Sequence, residues 1–185
     1  ATAADGEAVL VEITEFGLEG AQAKGTIKQV LGNPDSSAVQ MQMVIGKFEL
    51  PHVFTKQSLA EAEAFSDKVE LTPDRTDLRD ILHVTIDGET ARDFDDAVSV
   101  LKTKKGYRLY VSIADVSQYV QPGTALDLDA WTRGTSVYFP TGVVPMLPER
   151  LSNDLCSLNP DVDRYAFTAV LDFDRSGNRQ KMHFV

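Results

Sequence analysis

Four aspartates, Asp87, Asp93, Asp95 and Asp96, fall within ten residues of one another in the run TIDGETARDFDDAV at 85–98. Carboxylates this close repel one another and raise each other's pKa unless a hard cation neutralises them. Mg²⁺ takes oxygen ligands and keeps water positions open for a phosphate, so the pattern points to a site for Mg²⁺, or Mn²⁺ in its place, that handles phosphate. Two such ions about 4 Å apart activate a water and stabilise the leaving oxygen in phosphodiester cleavage. The competing reading is a solvated turn whose aspartates cap backbone N–H groups. Phe94, Ala97 and Val98 oppose it, because such a turn needs no apolar residues threaded through it. An EF-hand is excluded, since the glycine and closing glutamate it requires are missing.

The elements that must hold these aspartates read as β-rich. Residues 82–86 and 97–102 alternate as strands on either side of the run, so Asp87 closes one strand, Asp93, Asp95 and Asp96 open the next, and a five-residue loop bends all four together. Lys104-Lys105-Gly106 predicts a hairpin turn and residues 107–114 the returning strand. A short helix is expected over 126–133, opened by Thr124 or Asp127. Residues 134–151 carry Pro140, Pro145 and Pro148 and predict an ordered loop, and 165–173 with 178–185 a final hairpin. Upstream, residues 7–14, 25–31 and 38–45 read as three strands of a small β module, marginal by itself and so expected to begin inside a larger barrel. Residues 55–65 predict a helix with Ser58 and Glu61 as its capping box, and 70–79 a surface linker. The fold class is α+β, predominantly β.

With 185 residues, 20.3 kDa and 43% apolar side chains, the chain has room for one large domain or two small ones. No apolar run reaches a membrane span and no leader opens the chain, so no membrane partner is expected. The lone Cys156 has no disulfide partner, which predicts a reducing, cytoplasmic setting. The net charge of −10 speaks against a phosphate-rich partner. Residues 87–96 hold five acidic groups and one basic one, however, and residues 97–185 sum to +1, so part of the acidity is a metal-site signature. The run DFDRSGN at 172–178 opens like a calcium loop, but its twelfth position is His183, and a hairpin turn is expected instead. Cys156, in the apolar run LCSL, reads as packing, and Lys102, Lys104 and Lys105 as a solvated hairpin tip.

The run at 85–98 resembles the signature of the ribonuclease II/ribonuclease R family, the RNB-domain exoribonucleases. Three later segments agree: IADVSQYV at 113–120, RGTSVYFP at 133–140, and PMLP at 145–148 with LSNDLCSL at 151–158. Their wording is closer to ribonuclease R than to ribonuclease II. The resemblance implies processive 3′-to-5′ hydrolysis of single-stranded RNA to nucleoside 5′-monophosphates with Mg²⁺. It places the catalytic and metal-binding aspartates on Asp87, Asp93, Asp95 and Asp96, with Asp95 the most sensitive for the chemical step. It also makes Tyr138 the aromatic that stacks near the 3′-terminal base; core packing beside Phe139 is the alternative for that ring. The implied organisation is the C-terminal part of an OB-type cold-shock barrel over 1–52, a helix and linker over 53–80, and the N-terminal part of an RNB catalytic domain over 81–185. Family members are far longer, so the chain reads as a monomeric fragment with half of an active site. Two other readings stay open: a non-catalytic RNA-binding or regulatory piece, and a calcium-stabilised β domain without RNA.

Overall fold

In chain order the elements are β1 (Ala8–Glu15), β2 (Lys24–Gly32), α1 (Ser37–Lys47), α2 (Lys56–Glu63), β3 (Asp96–Lys102), β4 (Gly106–Ala114), α3 (Ala125–Arg133), β5 (Val137–Phe139), β6 (Gly142–Val144), a π-helical turn (Arg150–Leu155), β7 (Ala166–Asp174) and β8 (Arg179–Phe184). The structure is a computed structural model that describes residues 2–17 and 22–185. It divides into two units, Ala1–Val53 with Thr132–Met146, and Phe54–Trp131 with Leu147–Val185. Among the described residues no helix is long and apolar enough to cross a membrane.

In the first unit β1 and β2 form the expected antiparallel hairpin. The third expected strand, 38–45, is instead α1. Val39, Met41, Met43 and Ile45 do alternate, but Ala38, the methionines and the glutamines are strong helix formers, and Ser36, extended at φ −74°, supplies the N-cap position. The helix buries Val39 and brings Gly46 close to the hairpin: a Cβ on Gly46 would stand 3.0 Å from Leu10 Cδ1. Residues 134–151 were expected to be irregular, yet they contain a short hairpin in which Val137, Tyr138 and Phe139 of β5 pair with Val144, Val143 and Gly142 of β6.

The second unit is built on a four-stranded antiparallel sheet in the order β3-β4-β7-β8. Gly106 starts β4 where the β3–β4 hairpin closes on β7. A Cβ there would lie 2.1 Å from the Phe173 carbonyl oxygen, so only glycine allows the approach. Behind the sheet, Ala62, Tyr119, Leu126, Leu151, Leu155 and Cys156 form the buried core with Ala114. The helices α2 and α3 cap each other. Thr55, not Ser58, is the N-cap of α2, and its N–H donates to Asp129 of α3 (2.9 Å). Glu61 of α2, expected to cap its own helix, accepts from the Ala125 and Leu126 N–H groups of α3 (3.2 and 3.0 Å). Thr124 is the residue that opens α3, accepting from the Asp127 N–H at 3.2 Å.

Residues 82–86 do not form the strand their alternation predicts. Only Val84 pairs, with Val98 of β3, while Leu82, Val84 and Ile86 all remain exposed. The alternation is real, but no neighbouring layer covers its apolar side, so one rung forms instead of a ladder.

Candidate active site

Asp96 is the first residue of β3, opposite Ile113 of β4, and Asp95 precedes it with its carbonyl accepting from the Ala114 N–H (2.8 Å). Asp87 ends a segment held by the Val84–Val98 bridge and by His83. The His83 Nδ1 lies 2.9 Å from the Ile81 carbonyl oxygen and its Nε2 3.2 Å from Ser112 Oγ. A turn between them, in which the Ala91 N–H donates to the Gly88 carbonyl (3.0 Å), folds the loop back.

The backbone between these anchors is fixed from outside the run. Ser157, 0% exposed, donates from Oγ to the Arg92 carbonyl (2.8 Å) and accepts from the Phe94 N–H (3.0 Å). The next residue, Leu158, donates its N–H to the Phe94 carbonyl (2.9 Å). Arg164 holds this segment in turn, donating to the carbonyls of Asp154 (2.8 Å) and Ser157 (3.2 Å) and to the Asp154 carboxylate (2.6 Å). Asp154 and Arg150 belong to the π-helical turn, and their ion pair ties its ends together. π-Helical geometry is uncommon and recurs where backbone must be re-aimed at a functional site.

The four aspartates share one neighbourhood in the second unit. Protein atoms strip part of the hydration of the Asp95 carboxyl although the residue remains exposed. That desolvation, followed by repulsion from Asp93, Asp96 and Asp87, raises its pKa above 3.8. Among the described residues no ion pair engages Asp87, Asp95 or Asp96. No three acidic, imidazole or thiol groups there lie close enough to enclose a metal ion. The arrangement is therefore an open group of repelling carboxylates. Its donor chemistry, a group of hard anionic carboxylate oxygens, fits Mg²⁺ or Mn²⁺. A cleft of about 600 Å³ opens beside the loop, lined by Arg92, Asn153 and Asn159, whose donors suit phosphate oxygens, and also by Phe94, Arg150 and the carboxylates Glu63 and Glu149.

Tyr138 lies in β5, in the first unit, and is 66% exposed, which leaves its ring accessible and sets aside core packing beside Phe139. Cys156 is buried in the core, and burial pushes its thiol up to about 12, so it is no nucleophile at neutral pH. Sequence reasoning missed Ser157, Arg164 and Asp154. The one available signal was a serine between the apolar residues of LCSL, a polar group that must find partners once buried.

Comparison with known proteins agrees with this layout. The RNB domain family matches residues 75–185 and the cold shock domain family residues 1–55. Ribonuclease R of Aquifex aeolicus is 45% identical over 94% of this chain, which spans 25% of that protein. Ribonuclease R of Escherichia coli is 45% identical over 93% of the chain, which spans 22% of it. The solved Mycoplasma genitalium RNase R in complex with ribose methylated single-stranded RNA superposes on 98% of the chain with a TM-score of 0.90 at 32% identity, the chain spanning 29% of that structure. With its aspartate loop, its supporting segment 151–158 and its four-stranded sheet all inside the matched region, the chain belongs to the RNB-domain family.

Proposed function

We propose that this chain carries the metal-binding carboxylates of a 3′-to-5′ exoribonuclease that hydrolyses single-stranded RNA processively to nucleoside 5′-monophosphates. The observation that carries the reading is the Asp87–Asp93–Asp95–Asp96 neighbourhood, in which desolvation and then three like charges raise Asp95, while β4 holds its carbonyl and Ser157 holds the backbone of Arg92 and Phe94 just before it. Asp87, Asp93, Asp95 and Asp96 would hold Mg²⁺, which when bound supplies the positive charge and water activation that attack on a phosphodiester needs. Arg92 and Asn153, in the adjoining cleft, donate to phosphate oxygens, and Tyr138 offers an exposed ring to the 3′-terminal base without regard to sequence. In the complete protein, Asp95→Asn abolishes degradation of single-stranded RNA and leaves RNA binding largely intact. Undiminished hydrolysis by that variant would sink the mechanism.

For the 185-residue chain by itself, one observation favours the non-catalytic reading: no three ligand groups close around an ion among the described residues. On this reading the chain folds and binds RNA without cutting it. Release of mononucleotides from single-stranded RNA by the purified chain with Mg²⁺ refutes it.

A further inference from the structure

The sheet of the second unit is electrically polarised along its strands. Asp96 begins the seven-residue β3 and Lys102 ends it, a span of roughly 20 Å at the usual strand rise. At the Lys102 end the β3–β4 and β7–β8 hairpin tips lie side by side, since Gly106 pairs with Asp174 and Arg175 donates to the Lys104 carbonyl (3.3 Å). Residues 102–108 and 172–181 together carry seven basic and two acidic side chains, in a chain whose net charge is −10.

The two acids do not neutralise the cluster evenly. Asp172 is held by Arg108 through two hydrogen bonds, Nε at 2.7 Å and Nη2 at 3.0 Å, and this bidentate partner keeps its carboxyl below 3.8. Asp174 accepts from the N–H groups of Ser176 and Asn178 (2.9 and 3.0 Å) and from the Gln180 amide (2.8 Å), so it serves the β7–β8 turn. Lys104, Lys105 and Lys181 are exposed, and no ion pair among the described residues engages them. These three lysines line a cleft of about 630 Å³ whose wall also includes Arg108 and the two engaged acids, Asp172 and Asp174. A solvated tip needs no concavity, and three cations converging on one with their nearby acids already engaged form a receptor for a repeating anion.

We propose that this cleft binds the phosphodiester backbone of RNA, as a contact separate from the aspartate loop at the opposite end of the same sheet. The proposal rests on the reading of the chain as RNA-directed. Ammonium groups on flexible stems engage phosphates as point charges and do not read bases, so the contact is independent of sequence.

The test is fluorescence anisotropy of the purified chain with labelled oligouridine and with a labelled RNA duplex, in EDTA, across a salt series. The triple variant Lys104→Gln/Lys105→Gln/Lys181→Gln is compared with Lys47→Gln/Lys56→Gln/Lys68→Gln, which changes net charge equally elsewhere on the surface. Loss of three phosphate contacts is expected to lower the slope of log K against log salt by about 2 for the single strand. Affinity at low salt should fall at least tenfold, with the control variant within twofold of the native chain. Loss with both RNAs supports recognition of the backbone alone, and loss with one supports the cleft and assigns it to that strand form. Absence of RNA binding by the native chain, or equal loss in the two triple variants, overturns the proposal. Because EDTA removes divalent ions, failure here is distinguishable from failure of the metal-site reading, which Asp95→Asn tests.

Discussion

Ser157→Ala removes one atom, and the structure states what that atom does. Its Oγ satisfies two backbone groups more than 60 residues away, the Phe94 N–H at 3.0 Å and the Arg92 carbonyl at 2.8 Å. Arg92 is exposed, so water can replace the serine at its carbonyl, but Phe94 is half-buried and its N–H is left with poorer access. A buried donor without a partner costs about 1–3 kcal/mol, so a loss of about 2 kcal/mol is expected, or roughly 4–8 °C in Tm for a chain of this size. The second hydrogen bond to the loop, Leu158 N–H to the Phe94 carbonyl, survives, so the loop loosens without detaching. Amide hydrogen exchange reads this residue by residue: protection should fall at Phe94 and Asp95 and hold along β4 and β7. Cys156→Ala, which thins the core beside it and leaves both hydrogen bonds intact, serves as the control for general destabilisation. If Ser157→Ala melts within about 0.5 kcal/mol of the native chain and leaves Phe94 exchange unchanged, Ser157 does not hold the aspartate loop.

Three further outcomes follow from the same geometry. Without divalent ions, Asp95→Asn should raise Tm at pH 7: a carboxyl whose folded pKa is raised gives up its proton first in the unfolded chain, so stability falls as pH rises through the carboxylate range. A scanning-fluorimetry gain that vanishes at acidic pH is the expected result, and no gain at pH 7 counts against desolvation and repulsion acting on Asp95. Burial works to raise Asp115, but hydrogen bonds from Ser117 and Arg75 outweigh it and hold the carboxyl below 3.8. Its contribution is therefore present above that value and lost as pH falls through the lowered one. Arg75→Met should make acid unfolding, followed by far-UV circular dichroism, begin at higher pH. Asp129→Ala and Glu61→Ala should each cost about 1 kcal/mol in denaturant unfolding as lost helix caps. The double variant should cost less than the sum, because both act on one helix pair.

Much of the sheet was legible because its strands alternate and its turns carry glycine or lysine-rich tips, so β3, β4, β7 and β8 fall where periodicity puts them. Alternation failed where it was ambiguous or unsupported. At 38–45 the alternating residues fall on opposite sides of a helix, yet their helix propensity decided and only Val39 is buried. At 82–86 a strand-like pattern found a single partner. Glu61 was assigned to its own helix because a capping box is a local pattern, whereas its real partners lie 64 and 65 residues on. The aspartates were legible from type and spacing, but the latch that holds them was not, since nothing in LCSL says which carbonyl Ser157 will meet.

The manner of holding matters for what the aspartates can do. A loop with five acidic residues splays unless something opposes the repulsion, and the commonest remedy, ion pairs, would occupy the oxygens an ion needs. Here the hydrogen bonds from Ser157, Leu158 and Ala114 reach backbone groups of Arg92, Phe94 and Asp95 and spend no carboxylate oxygen. The cations of the supporting layer, Arg150 and Arg164, are themselves committed to Asp154 and Asp67. With Asp87, Asp95 and Asp96 outside every ion pair among the described residues, the repulsion that helps raise Asp95 is left for a cation to relieve at one end of β3, while exposed lysines stand at the other.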